Sequence, residues 1–163
     1  MTVVVRTAEP ADMADIYRLL RAFGRHMGHE DWVSGTPDGL ARDLFSNPPK
    51  CFAHVAMVDT AIVGAALWFE TYSFWAAQPI LYLEDLFVDA EVRGAGAGEA
   101  LMRALAGEAT ARGCAWMDWQ VLTDNVGGQR FYDRLGAKLQ PEWRLWRLEG
   151  DALAALVGER SSG

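Results

Sequence analysis

The chain predicts a single α/β domain, and three features of its pattern say so. Short runs of branched and aromatic residues read as strands, they alternate with segments of helical periodicity, and glycine, proline and asparagine mark the joints between them. About half of the 163 residues are apolar, enough for one sizeable core. No repeat, linker or low-complexity stretch divides the chain, so one domain over 1–163 is expected.

Taken in order, Val3–Arg6 is a first strand. Pro10 opens a helix, where its missing N–H is harmless. Met13, Ile16, Leu20, Phe23 and Met27 then alternate steps of three and four, one apolar stripe that Gly28 ends. Thr36-Pro37-Asp38 supplies an N-cap, a proline and an acid, starting a second helix through Leu40, Leu44 and Phe45 that Asn47-Pro48-Pro49 stops. Phe52–Val58 and Ala61–Tyr72 read as a hairpin turning at Asp59-Thr60. Ala61–Leu83 carries one charge, Glu70, and is long enough to span a bilayer. A carboxylate near its centre costs roughly 2.5–3.5 kcal/mol in a membrane, and Ser73, Gln78 and Pro79 break the run, so two strands and a linker are expected. After the Ile80–Val88 strand come a helix from Gly98 to Arg112, stopped by Gly113, and a strand at Trp116–Leu122. A short helix from Val126 to Leu135 ends at Gly136, Trp143–Leu148 is expected to close the sheet, and Asp151–Val157 reads as a loose terminal turn.

Composition narrows the functions. A formal net charge of −7 argues against nucleic acid, whose phosphates select basic surfaces, and fits a cationic substrate. Cys51 and Cys114 are far apart and form no C-x-x-C, and the histidines (two of them His26 and His29) have no metal spacing, so no metal is expected. Met1–Val5 is too short for a signal-peptide core, and a cytoplasmic protein without a membrane partner is expected.

Chemistry concentrates in Leu81–Leu101. An apolar strand carries two adjacent carboxylates, Glu84 and Asp85; Arg93-Gly94-Ala95-Gly96-Ala97-Gly98 follows, and a helix begins. Glycines at alternate positions let backbone N–H groups close on a ligand, and the positive end of the helix points into the same loop, which makes an anion site. The G-x-G-x-G spacing is neither the G-x-G-x-x-G of dinucleotide folds nor a P-loop, because no Lys-Ser/Thr follows. A mononucleotide domain is therefore disfavoured. Further on, Asn125 suits an N-cap, and Arg130-Phe131-Tyr132-Asp133-Arg134-Leu135-Gly136-Ala137 puts Phe131 and Leu135 on one helical face, with Tyr132 turned about 100° away. Alone, Tyr132 reads as a partly buried cap over the core before it reads as a functional group.

The series as a whole, strand with Leu-Glu-Asp, R-x-x-G-x-G, helix, strand, Asn, then Phe-Tyr and Leu-Gly-Ala, resembles the GNAT N-acetyltransferases from about Val4 to Leu148. Tyr82-Leu83-Glu84-Asp85, the Asn125 to Tyr132 interval and Glu142-Trp143-Arg144-Leu145 are similar to its spermidine/spermine and thialysine branch. The resemblance implies a mixed, mostly antiparallel sheet of six to seven strands flanked by about four helices. It also implies acetyl-CoA as co-substrate, a small amine acceptor and a homodimer. Site by site, it implies that Arg93, Gly94, Ala95, Gly96, Ala97, Gly98 and Glu99 hold the pyrophosphate. Leu86, Phe87 and Val88 would pair with the pantetheine arm, and Asn125 would line that channel. It makes Tyr132 the general acid, Glu84 the base acting through water, and Asp85 a holder of the cationic acceptor, with His26 beside it on the acceptor side.

This chain departs from the branch in places. His26-Met27 stands where the family has Tyr-Glu, Asp124 where a Trp precedes the Asn, and Gly127-Gly128 where a Pro-Ser or Pro-Ala follows. Without the missing carboxylate to grip a distant amine, a compact acceptor is expected before spermine. Trp32, Trp68, Trp75 and Trp119 are candidates for an aromatic acceptor pocket. A GNAT fold that senses acyl-CoA without turnover is the alternative, against which the retained Glu84 and Tyr132 argue, and acetylation of an amino acid, an antibiotic or a protein N-terminus is another.

Overall fold

A computed structural model describes residues 2–158, which fall in two compact units, one running to Gln129 and one from Arg130. The first unit is built on a sheet in the order β1 (Val3–Thr7), β2 (Phe52–Val58), β3 (Ala61–Ser73), β4 (Gln78–Val88) and β5 (Met117–Trp119). The first three ladders are antiparallel, and β5 joins β4 in parallel. Parallel neighbours need a crossover, and α3 (Ala97–Ala111) supplies it. The other helices are α1 (Met13–His26), α2 (Pro37–Leu44), α4 (Val126–Arg134) and α5 (Gly150–Val157).

Local chemistry explains the element ends. Thr36 Oγ1 accepts the Gly39 N–H at 3.1 Å, the expected cap of α2. Arg6 makes a two-pronged bond to Asp12 at 2.6 and 2.9 Å, and the Asp12 carboxylate also accepts the Glu9 N–H at 2.7 Å, which fixes the short 3-10 turn Pro10–Asp12 leading into α1. The Arg6 guanidinium holds the Asp12 carboxyl below the usual carboxylate range. Gly28, Gly113 and Gly136 stop helices in the left-handed region, at φ of 74°, 69° and 88°. Asp59 adopts φ 53° in the expected β2–β3 turn.

Each face of the sheet has its own cover. Met13, Ile16 and Leu19 of α1 and Leu44 of α2 bury Val55, Ala65, Leu67 and Phe87 on one side. On the other lies α3, whose Glu108 and Arg112 reach His54, Glu70 and Trp68. Trp68, 1% exposed, donates its indole N–H to His54 Nδ1 at 3.1 Å and stacks on Phe52. Trp68 is thus a core residue and leaves the set of aromatic pocket candidates.

His54 is buried, and desolvation pushes its pKa down; nearby Glu108 opposes this and Arg112 adds to it. Because Nδ1 accepts a hydrogen bond, protonation would set two N–H groups against each other. The unfolded chain takes that proton at an ordinary histidine pKa and the folded protein resists it, so stability is full above that pH and falls as pH drops through it. Melting temperature is expected to fall between pH 7.5 and pH 5.5, and to fall less in His54→Gln. Equal losses in both proteins would exclude His54 as the source.

The structure corrects several expectations. Among the described residues the sheet has five strands rather than six or seven, and five α-helices stand beside the expected number of about four. Trp116–Leu122 shortens to Met117–Trp119, and the terminal turn is the helix α5. Trp143–Leu148 forms no strand; Trp143, Leu145, Trp146 and Leu148 are exposed, Trp146 at 90%. An extended segment becomes a strand only where another strand's edge supplies ladder bonds, and no such ladder forms at Trp143–Leu148. The suspected membrane run is the β3–β4 hairpin, turning at residues 74–77 between the expected breakers; no helix among the described residues is long and apolar enough to cross a membrane.

Candidate active site

The site begins with an irregularity in β4. Leu83 faces Trp68 on β3 and Asp85 faces Leu67, which leaves Glu84 as an extra residue, a β-bulge. Directly opposed residues share a face of the sheet. Leu83 therefore lies with Trp68 on the α3 side, while Asp85 lies with Leu67 on the α1 side, two positions later where regular alternation would return it to the first face. Glu84 is exposed on the bulge. Asp85 is half-buried, and its pKa is raised to about 6, first by desolvation and then by the charge of Glu84. A carboxyl that titrates near neutrality beside a second carboxylate can give and take a proton at working pH.

The strand beyond the bulge has an open side. β5 pairs with β4 from Leu81 to Leu83, opposite Met117 to Trp119, so among the described residues Asp85 to Val88 have β3 on one edge and no strand on the other. Gly64 permits this part of β4 to lie close: a Cβ there would stand 3.1 Å from the Phe87 carbonyl oxygen and 3.4 Å from Leu101 Cδ1. Such an edge can accept an extended ligand through main-chain hydrogen bonds.

Past Val88 the chain makes a 3-10 turn, Ala90–Val92, and enters the glycine loop. Gly94 and Gly96 take φ of 90° and 85°, a region that disfavours side chains. A Cβ at either position meets no heavy atom within 4 Å, so conformation rather than packing calls for glycine. Gly96 is the N-cap of α3, and its carbonyl accepts the Ala100 N–H at 2.9 Å, the first bond of the helix. The N–H groups of Ala97, Gly98 and Glu99 thus lie in the first turn, where they have no intrahelical acceptor. Open strand edge, left-handed glycines and free helix end follow one another along Leu86–Glu99, a donor set that fits a ligand with an extended arm and a phosphate.

Arg93 lies at the loop entrance, and its Nη1 is 3.1 Å from Nε2 of His26, at the end of α1. Both line a shallow cleft with Phe23, Phe87, Val88 and Asp89. Asn125 caps α4 by accepting the Gly128 N–H at 2.9 Å, as its type suggested. Tyr132 belongs to the second unit; it is half-buried, its ring lies edge-on to Phe131 at 5.0 Å, and its carbonyl accepts the Leu135 and Ala137 N–H groups. Of the remaining tryptophans, Trp75 is 94% exposed on the β3–β4 turn, Trp32 stacks on His29 at 3.8 Å, and Trp119 is half-buried on β5. One contributor was not read from sequence. Arg18 bonds Asp89 at 3.3 Å and the Ile62 carbonyl at 3.1 Å, pinning the end of β4 to α1. Partners 71 positions apart leave no local signal.

Comparison with known proteins follows the same lines. The model of the acetyltransferase (GNAT) family matches residues 13–137. A thialysine N-epsilon-acetyltransferase of Bos taurus is 32% identical over 168 residues, covering 96% of this chain and 98% of its own. An L-ornithine N5-acetyltransferase of Arabidopsis thaliana is 38% identical over 98 residues, 60% of this chain and 43% of that protein. A solved integron cassette protein from the mobile metagenome of V. cholerae superposes with a TM-score of 0.80 at 25% identity, covering 96% of this chain and 98% of that one. With the family's pattern along most of its length, and N-acetyltransferases among its relatives, the chain belongs to the acetyltransferase (GNAT) family, whose donor is acetyl-CoA, and is an N-acetyltransferase.

Proposed function

We propose that this enzyme acetylates one primary amine of a compact cationic acceptor, a lysine analogue, ornithine or short diamine, by direct attack on acetyl-CoA. The observation that carries the reading is the bulge at Glu84-Asp85, which sets two carboxylates beside an open strand edge that runs into the glycine loop. Acetyl-CoA supplies the acetyl group as an activated thioester. Leu86, Phe87 and Val88 align the donor's arm along the free edge of β4, and the amides from Gly94 to Glu99, with Arg93, take its pyrophosphate. Asn125 borders the same channel.

An aliphatic ammonium has a pKa of about 10.4 and must lose a proton before it attacks. Glu84 takes that proton through water, and Asp85, coupled to it by charge, holds the cation and shares the titration. As the new N–C bond forms and the C–S bond breaks, the Tyr132 hydroxyl donates its proton to the departing sulfur. The open edge of β4 also leaves main-chain N–H groups to receive charge on the carbonyl oxygen. The thialysine and ornithine specificities of the relatives support a compact acceptor, as does His26-Met27 in place of a carboxylate. Both units act as one domain in a cytoplasmic homodimer, and the exposed apolar side chains of Trp143–Leu148 support such an association.

The test is a panel of lysine analogues, ornithine, short diamines, spermine and aminoglycosides, read by thiol release from acetyl-CoA. The compact amines are expected to give the highest kcat/KM; spermine as the best acceptor, or no thiol release with any amine, would overturn the reading. With the best acceptor, kcat/KM should rise with pH through a limb near 6, the pKa of Asp85. Asp85→Asn should remove that limb and raise KM for the amine more than for acetyl-CoA. Glu84→Gln should lower kcat and move the limb to lower pH, because the charge of Glu84 helps raise the Asp85 pKa. Unchanged amine kinetics in both variants would remove the carboxylates from the mechanism.

A further inference from the structure

The chemistry of His26 fits poorly with a cationic acceptor. Its Nε2 stands 3.1 Å from Arg93 Nη1, so the guanidinium donates and a neutral imidazole accepts. The cleft they line is bounded by Phe23, Phe87 and Val88 and runs alongside the segment that leads into the glycine loop. An imidazolium beside Arg93 offers only donors and positive charge. Such a pair repels an amine substrate and repels itself unless an anion lies between.

The other charges nearby do not fill that place. Asp89 lines the same cleft but is bonded by Arg18 of α1 at 3.3 Å. Of the neighbouring arginines on α1, Arg21 and Arg25 are both held by Glu30, from the 3-10 turn Glu30–Trp32. Arg93 has no carboxylate partner among the described residues; the contact it makes is the one to His26.

We infer that His26 and Arg93 form a two-cation clamp on the phosphate end of acetyl-CoA, closed by uptake of a proton on His26 when the donor binds. The clamp rests on the proposed glycine-loop site and adds to it a residue from α1, 67 positions away. In the free enzyme the Arg93–His26 bond holds the guanidinium at the loop entrance. When a pyrophosphate arrives, it accepts from both side chains, and the proton converts His26 from acceptor to donor.

Dephospho-CoA is the probe, because its pyrophosphate has no group titrating near pH 7, whereas the 3′-phosphate of CoA does, with a pKa near 6. Calorimetry at pH 7 in two buffers of different ionisation heat should show proton uptake on binding, and affinity should rise as pH falls from 8 to 6. His26→Gln keeps an acceptor for Arg93 but takes no proton, so the uptake and the pH slope should vanish. His26→Ala should weaken binding about tenfold at pH 6, the value of one charge-assisted hydrogen bond. His26 is exposed, so both variants should fold, which their melting curves check. If Arg93→Ala weakens dephospho-CoA while both His26 variants bind with wild-type affinity and proton uptake, the clamp is refuted and the loop site stands. If neither Arg93→Ala nor Gly96→Val affects binding, the loop site itself is wrong and the clamp falls with it.

Discussion

Tyr132→Phe is expected to lower kcat by roughly 10²–10⁴, with little change in melting temperature or in affinity for acetyl-CoA. The substitution keeps the ring that meets Phe131 edge-on and leaves untouched the carbonyl that accepts from Leu135 and Ala137. Only the hydroxyl is lost. A phenol with a pKa of about 10 stays protonated at working pH and can donate to a leaving thiolate. Without it the sulfur must take its proton from water, which raises the barrier of the bond-breaking step and little else. The expected signature is a fall in kcat with KM for acetyl-CoA nearly constant. An acetyl donor with a more acidic thiol should recover part of the rate, because its leaving group needs less protonation. Wild-type kcat in the variant, under conditions where chemistry limits turnover, would return Tyr132 to a packing role.

Gly96→Val should weaken acetyl-CoA binding roughly hundredfold or more, the value of two charge-assisted hydrogen bonds lost together. Gly96 combines φ 85° with the N-cap position of α3. The open space around it means that a side chain meets no protein atom, so damage to the core is not the expected effect. Two effects are. A left-handed conformation costs an L-residue about 1–2 kcal/mol, and the isopropyl group stands where loop amides and the first turn of α3 converge. Strain alone is separated by Gly113→Val, which places the same side chain at φ 69° at the other end of the same helix. Both variants should lose a few degrees of melting temperature, and only Gly96→Val should lose the ligand. If both variants bind acetyl-CoA like wild type in calorimetry, the phosphate site is not in this loop.

Much of the site was legible because its signals are local. The cap of α2 by Thr36 is a bond across three residues, and the cap of α4 by Asn125 is another. Gly94 and Gly96 announce a backbone conformation that few other residues adopt, and Asp59-Thr60 announces a turn. Such features depend on a handful of neighbouring dihedrals and can be inferred without knowing what the segment packs against. They mark most of the order of elements, the glycine loop after the fourth strand and the residues of the GNAT pattern.

Other features needed a distant partner. The bulge at Glu84 exists only as a mismatch between β4 and β3, and it decides which face receives Asp85. The end of β5 at Trp119 opens the edge from Asp85 to Val88, although the sequence stays apolar to Leu122. Trp143–Leu148 has strand composition but no strand, because the ladder bonds that make one come from a neighbour and not from the segment itself. The raised pKa of Asp85 comes from the solvent that its surroundings exclude, and the pairing of His26 with Arg93 joins positions 67 apart. The sequence by itself determined most of the elements up to α4, the caps of α2 and α4 and the glycine loop, since hydrogen bonds between near neighbours specify them. Register, exposure and the company each charged side chain keeps were decided by the tertiary structure, since they arise only when separate segments meet.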